Sequence, residues 1–180
     1  MAGRHNVLNA TTAFIAARQI GIEATAIAEA LATLKGVKRR FDIRVNNERH
    51  CYIDDYAHHP EEIRSCLTAV KEAYQGKRLT LVFQPHLYSR TRDFMDEFAE
   101  VLALADQLIL LDIYPARELP IEGITSQALL DKVNLSNKSI CQKDELINLI
   151  DSEKPELLVT MGAGDIDRFV EPLENMIKTW

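Results

Sequence analysis

Cysteine is scarce in this sequence, and the three that occur, Cys51, Cys66 and Cys141, are far apart. An odd number of isolated cysteines forms neither a disulfide framework nor the paired spacing of a zinc site. No charged-then-apolar leader opens the chain. These absences indicate a reducing compartment, and we expect a cytoplasmic location.

Long apolar runs and basic runs are also missing. No window approaches the roughly 18 consecutive apolar residues of a membrane-spanning helix. The formal net charge is −6 without a basic cluster, so the electrostatic footprint of a nucleic-acid-binding protein is lacking. We therefore expect neither nucleic acid nor a membrane as partner. The 180 residues are 47% hydrophobic, enough to bury a core.

A phosphate-binding loop is the third absence. The pattern G-x-x-x-x-G-K-[ST] occurs nowhere, and the glycine turn GAGD at 162–165 has no lysine. That turn alone is weak evidence for a ligand, because glycine there also serves close packing. We therefore expect that this chain alone does not bind and cleave ATP by a P-loop mechanism.

Apolar periodicity predicts two helices within 6–34, and a boundary near Gly36 and Val37. Residues 41–55 alternate apolar and polar around Asn46-Asn47, which predicts a hairpin because Asn tolerates positive φ. Further helices are predicted at 60–74, 89–104, 125–132, 143–151 and 165–178, and strands at 78–83, 107–113, 138–141 and 156–160. Strands alternating with helices predict an α/β fold with a mostly parallel sheet flanked by helices.

Three polar clusters follow strand patterns: DDYAHHP at 54–60, QPHLYSRTRD at 84–93 and DIYPARELPIEG at 112–123. In open α/β sheets ligands bind outside the carboxyl ends of the strands. Each cluster alone is compatible with a solvated loop, but together they predict a ligand site.

The residue types in these clusters suggest their chemistry. Carboxylates such as Asp54 and Asp55 suit ribose hydroxyls or a magnesium shell, and imidazoles suit proton transfer. Adjacent histidines seldom point the same way, and no third His or Cys follows at a ligand spacing, so we predict no metal site on His58 and His59.

Arg90 and Arg92 are two residues apart and cannot share a helix face. We expect Arg90 to enter the cleft, where a guanidinium near a helix N-terminus receives a carboxylate or phosphate, and Arg92 to point outward. The alternative is a helix capped by Ser89 with surface salt bridges.

Asn6 and Asn9 in GRHNVLNA are three apart and would be neighbours on one helix face. Amides offer both a donor and an acceptor, as reading a base edge requires. A capped surface helix is the alternative.

Taken in order, GRHNVLNA, GVKRRF, DDYAHHPEEI, FQPHLYSRTRDF, PIEGITS and GAGDI resemble the C-terminal third of the alanine-adding members of the Mur ligase family. The resemblance spans residues 3 to about 170. It implies three domains, of which the first holds a UDP-sugar, the central P-loop domain holds ATP, and the last is a Rossmann-like amino-acid-binding domain. Residues 1–36 would be helices ending the central domain and 37–180 the last domain, so we expect a fragment that is inactive alone.

The resemblance also implies the reaction and its participants. ATP would phosphorylate the carboxylate of UDP-N-acetylmuramate, and the amine of L-alanine would attack the acyl phosphate. A carboxylate is a poor electrophile until it is activated, and Mg²⁺ offsets the charge on the transferring phosphoryl group. ATP and Mg²⁺ would be bound mainly by the central domain.

Residue roles are likewise implied by the resemblance. Those beside ATP would be His5, Asn6, Asn9, Arg40 and Asp55 or its neighbour Asp54, the last two as alternatives for the ribose. Those of the L-alanine pocket would be Tyr56, His58, His86 and Arg90, with the last three also catalytic. Arg90 would bind the alanine carboxylate, and Tyr56 would wall the pocket against larger side chains.

Two departures from the family pattern stand out. Leu87 occupies a position where many members have arginine, and YPARE replaces the commoner YAAGE, which adds Arg117. We hypothesise that Arg117 supplies part of the missing positive charge. Two other functions remain open: a sister ligase that attaches a recycled murein peptide to the same sugar nucleotide, and a free-standing binding module without catalysis.

Overall fold

The computed structural model describes residues 4–34 and 36–180, and the side chains of Arg4 and His5 lie outside this description. Its centre is a six-stranded sheet in the order β1-β2-β6-β3-β4-β5. The strands are β1 Asp42–Asn46, β2 Cys51–Asp55, β3 Leu79–Phe83, β4 Gln107–Leu110, β5 Lys138–Ile140 and β6 Leu157–Met161. β1 runs antiparallel to β2, and every other neighbouring pair is parallel. The predicted α/β fold with a mostly parallel sheet is confirmed.

Helices cover both faces of the sheet. They are α1 Arg4–Gln19, α2 Ala24–Thr33, α3 Pro60–Ala73, α4 Tyr88–Asp93, α5 Met95–Leu102, α6 Ser126–Lys132, α7 Leu146–Glu153 and α8 Val170–Ile177, with a 3₁₀ turn at Asp165–Phe169 before α8. One core joins Leu81 and Phe83 of β3 to the buried sides of α3, α5 and α6. The other joins Val82 to those of α7 and α8. Alternate side chains of a buried strand thus enter opposite layers.

The single helix predicted over 89–104 is wrong. Phe94 has φ −120° and ψ 26°, and this non-helical residue separates α4 from α5. Its ring packs against the ring of His59, 4.5 Å away between centroids. The strand predicted over 107–113 is also shorter and ends at Leu110.

The hairpin over β1 and β2 is present, but the reason offered for it is wrong. Asn46 and Asn47 do not have positive φ. Instead the Asn47 side-chain oxygen accepts hydrogen bonds from the N–H groups of Arg49, at 3.0 Å, and His50, at 2.7 Å. Asparagine therefore forms this turn by hydrogen bonding to the backbone rather than by adopting a left-handed conformation.

The helical pair, α1 with α2, stands apart from both cores. Among the side chains that the structure describes, none from these two helices belongs to either core. Several large apolar side chains of α1 are exposed, among them Val7, Leu8 and Ile15, as is Ile20 in the turn that follows it. Across 4–34 and 36–180, no helix combines the length and apolar character needed to traverse a bilayer.

Candidate functional site

The polar clusters predicted from the sequence meet at one edge of the sheet. β2, β3, β4 and β6 are parallel and end there. The loops after β3 and β4 are held together, because Leu87 N–H donates to the Tyr114 carbonyl at 2.9 Å and Tyr114 N–H to the Pro85 carbonyl at 2.8 Å. Side chains from distant parts of the chain are thereby brought into contact.

The histidine cluster consists of Tyr56, His58, His86, Arg90 and Tyr114. Arg90 Nη1 donates to His86 Nδ1 at 3.2 Å. The His86 ring stacks on Tyr114 at 5.7 Å and lies 6.0 Å from His58, which is 5.2 Å from Tyr56. All four residues of the predicted alanine pocket are thus neighbours. Sequence reasoning missed Tyr114, whose only signal is an aromatic residue just beyond a strand.

The surroundings of His86 lower the pKa of its imidazole and so favour the neutral form. Burial lowers the pKa of its imidazole, and the charges of Arg90 and His58 lower it further, against a small opposing effect of Glu118. A neutral Nδ1 has the lone pair that the Arg90 guanidinium needs as an acceptor. The same lone pair accepts a proton from a reacting amine once Arg90 turns to another acceptor, because the other ring nitrogen of this tautomer, Nε2, carries the proton.

The two arginines after β3 separate as predicted. Arg92 pairs with Asp93 at 2.7 Å with about half of its side chain exposed (53%), whereas Arg90 turns toward His86. The alternative of a Ser89 cap is wrong, because Ser89 donates its N–H and hydroxyl to the Glu118 carboxylate. These hydrogen bonds lower the pKa of Glu118.

Leu87 precedes α4 with φ 73° and ψ 133°, a backbone conformation that residues other than glycine avoid. Its carbonyl accepts from the Thr91 N–H at 3.1 Å and hydroxyl at 2.9 Å. Arg117 is exposed and makes no hydrogen bond or ion pair within the described ranges 4–34 and 36–180. Its role as a substitute for the missing arginine stays a prediction.

A cavity of about 720 Å³ lies between the helical pair and α3, and we call it the interhelical cavity. Asn6, Asn9, Arg40 and Asp55, four of the residues predicted to lie beside ATP, line it together. Its volume falls in the range of small-molecule sites. The side chain of His5, also predicted there, lies outside the described part of the chain.

The two neighbouring aspartates have different surroundings. Asp54 is fully buried and accepts from Arg39 Nε at 2.9 Å and from the Thr160 hydroxyl at 2.8 Å. Asp55 lines the interhelical cavity while accepting from the N–H groups of Phe41, at 2.7 Å, and Ala57, at 2.8 Å. Burial raises the pKa of both carboxyls, although these partners oppose the effect. Of the two alternatives for the ribose, only Asp55 lines the cavity.

The GAGD turn is needed for close packing. A Cβ on Gly162 would lie 2.7 Å from the Gln84 carbonyl, and one on Gly164 would lie 2.4 Å from Gln84 Oε1. Gln84 is itself buried and donates to Asp165 at 2.7 Å, a contact with no signal in the sequence. Within residues 4–34 and 36–180, no three His, Cys, Asp or Glu side chains converge on a metal position.

Comparisons with known proteins show which proteins this chain is similar to. The family described as "Mur ligase, glutamate ligase domain" matches residues 39–164. A UDP-N-acetylmuramate–L-alanine ligase from Cytophaga hutchinsonii is 51% identical over 174 residues, which are 97% of this chain. The chain spans only 37% of the length of that relative.

Two solved structures of similar architecture also cover nearly the whole chain. A UDP-N-acetylmuramate–alanine ligase from Thermotoga maritima is 28% identical with a TM-score of 0.81, over 99% of this chain and 39% of that one. A murein peptide ligase from Psychrobacter arcticus is 25% identical with a TM-score of 0.67, over 100% of this chain and 38% of that one.

Proposed function

Because the chain belongs to the Mur ligase family, we propose that it is the amino-acid-binding part of a ligase that joins L-alanine to UDP-N-acetylmuramate with ATP. The observation that carries the proposal is the histidine cluster. It places a guanidinium, a neutral imidazole and an aromatic wall at one edge of the sheet. Those groups suit the carboxylate, the amine and the small side chain of alanine, respectively.

Each residue of the histidine cluster then has a role. Arg90 binds the alanine carboxylate, an interaction that guanidinium geometry favours. His86 and His58 face the amine. When Arg90 turns from His86 to the alanine carboxylate it frees the Nδ1 lone pair of neutral His86, and that nitrogen takes up the proton that the amine loses when it attacks the acyl phosphate and phosphate leaves. Tyr56, a residue that is 37% exposed, walls the pocket and limits the side chain to a methyl group.

The interhelical cavity is the proposed place for the adenosine part of ATP. The amides of Asn6 and Asn9 offer donors and acceptors to the base edge, Asp55 accepts from the ribose, and Arg40 approaches the phosphates. His5 is proposed beside them from the family pattern alone. When bound, ATP supplies the phosphoryl group that activates the muramyl carboxylate. The phosphates and Mg²⁺ belong mainly to a P-loop unit, since these 180 residues have no P-loop.

This arrangement supports two units, residues 1–36 as the end of an ATP-binding domain and residues 37–180 as the Rossmann-like domain. The exposed apolar side chains of the helical pair fit a surface that packs against further protein. The 180 residues alone should therefore show no ATP-dependent ligation. A cytoplasmic location follows from the nucleotide substrates of the proposed reaction.

The sister function, attachment of a recycled murein peptide, is supported less well. The alanine-adding ligase has the higher TM-score, 0.81 against 0.67, and the higher identity. A free-standing binding module without catalysis would not need the neutral imidazole of His86 as a proton acceptor.

The test is a chimera in which this chain replaces the matching region of the Cytophaga hutchinsonii ligase. Arg90→Gln should raise the KM for L-alanine about tenfold to a hundredfold, the effect of losing a hydrogen bond to a charged group. Arg92→Gln is the matched control and should leave KM unchanged. Equal effects of the two substitutions would refute the assignment of Arg90.

A further inference from the structure

Arg39 is the residue of the RRF segment that has no role so far, and it lies between the two candidate pockets. Its φ is 59°, in the left-handed region that residues other than glycine avoid unless surrounding contacts hold them there. The turn that contains it is closed by Arg40 N–H, which donates to the Val37 carbonyl at 3.1 Å.

The guanidinium of Arg39 is held by the ends of two strands. Nε donates to Asp54 Oδ2 at 2.9 Å at the end of β2, and Nη2 donates to the Gly162 carbonyl at 2.7 Å just beyond β6. The Arg39 side chain is 19% exposed and that of Asp54 is fully buried. A planar guanidinium that donates two hydrogen bonds to fixed acceptors has little freedom to rotate.

Arg39 contacts Tyr56 twice. Its carbonyl accepts the Tyr56 N–H at 2.7 Å, and its Cζ lies 5.2 Å from the centre of the Tyr56 ring. Arg40 Cζ lies 5.9 Å from the centre of the same ring, and the centre of the His58 ring lies 5.2 Å from it in a T-shaped arrangement. Because Tyr56 is partly exposed, the guanidinium of Arg39 over its ring contributes strongly to the orientation of that ring.

We propose that Arg39 is a positioning residue that fixes the Tyr56 ring and thereby sets the size of the amino-acid pocket. The inference rests on the proposed function, in which Tyr56 walls that pocket. In this proposal Arg39 acts through Tyr56 rather than on the amino acid, because the hydrogen bonds of Nε to Asp54 and of Nη2 to Gly162 fix its guanidinium at the strand ends.

The substitution Arg39→Lys distinguishes the positive charge of this residue from its planar guanidinium. Lysine retains a charge for Asp54 but lacks the planar surface for the ring and the second, parallel donor. In the chimera we expect the KM for L-alanine to rise about three- to tenfold, the size of one cation–π contact. The kcat and the KM for ATP should change less, and discrimination against L-serine should fall. Arg49→Lys, in the exposed hairpin loop, is the matched control.

Coupling to Tyr56 is tested with a double substitution. If Arg39 acts through the ring, Arg39→Lys should add nothing to the KM for L-alanine once Tyr56→Leu is present. Independent, additive effects of the two substitutions would overturn the proposal, as would an unchanged KM in Arg39→Lys alone.

If the proposed function itself is refuted, a different measurement tests the role of Arg39. If the unsubstituted chimera ligates no alanine, that function is refuted, and Arg39 is judged on the 180-residue chain by amide hydrogen exchange. Arg39→Lys should then speed exchange of the Tyr56 amide about tenfold and leave that of Leu81 unchanged, as in local opening. If the Tyr56 amide exchanges at the same rate in Arg39→Lys and in Arg49→Lys, the inference is overturned.

Discussion

A single imidazole, that of His86, is central to the proposed chemistry of the site. It lies between a permanent cation, Arg90, and the ring of Tyr114. Its pKa is lowered first by burial and then by Arg90. The folded chain therefore keeps His86 neutral in a pH range where the unfolded chain protonates it. This contribution to stability is present above the ordinary pKa of 6.5 and is lost as the pH falls below it.

The first prediction concerns this pKa. Arg90→Gln should raise the NMR titration midpoint of His86 but leave it below 6.5, because burial remains the larger cause. Arg92→Gln should not move the midpoint, since Arg92 is exposed and paired with Asp93. A midpoint that stays the same in Arg90→Gln would contradict the contact between Arg90 and His86.

Some of these residues were predictable and others were not. Tyr56, His58, His86 and Arg90 could be placed together because each follows a strand, and parallel strands end at one edge. The burial of Asp54 was not predictable, since it depends on Arg39 and Thr160, which are distant in sequence. Sequence alone left Asp54 open as the alternative to Asp55.

At the level of elements, the turn between β3 and α4 is the most constrained part of the site. Leu87 holds an unfavourable φ of 73° there. The loop after β4 is hydrogen-bonded to this turn through Tyr114 and Glu118. The sequence predicted both segments but not their pairing, because hydrogen bonds between loops leave no periodic pattern. It also missed the break at Phe94, where tertiary contact overrides helix periodicity.

The second prediction tests the strain at Leu87. Leu87→Gly should be at least as stable as the natural chain, whereas Leu87→Val should lower the free energy of unfolding by about 1–2 kcal/mol. Urea denaturation measures both. Leu119→Val, at an exposed position, is the control. Equal stability of the Gly and Val variants would show that the turn is not strained.

The third prediction concerns the GAGD turn. Gly164→Ala would place a Cβ 2.7 Å from Tyr114 Cβ, and such overpacking should cost about 2–3 kcal/mol. The same substitution should shift the NMR signals of His86, which stacks on Tyr114. Gly76→Ala has open space but a φ of 84°, so it should cost about 1 kcal/mol without changing His86. A Gly164→Ala variant as stable as the natural chain would contradict the close approach.

For the molecule as a whole, the two cores lie within residues 41–177. The helical pair contributes to neither of them, although it forms one wall of the interhelical cavity. Composition and strand–helix alternation were enough to predict this architecture. The cavity itself was not predictable, because it depends on how the helical pair packs beside α3.

The fourth prediction is that residues 37–180 fold without the helical pair. Their urea unfolding should stay cooperative, with a free energy of unfolding within about 1 kcal/mol of the full chain, as expected for loss of surface contacts. Circular dichroism measures the transition. A truncated chain that unfolds without cooperativity would contradict the boundary near residue 36.

The most direct test of the central claim is the product formed by the chimera. It would be given ATP, UDP-N-acetylmuramate, L-alanine and the murein tripeptide together, and the products identified by mass spectrometry. The histidine cluster, with one guanidinium and a pocket walled by Tyr56, predicts that the L-alanine adduct predominates. Predominance of the peptide adduct, or no ATP-dependent product, would contradict the account.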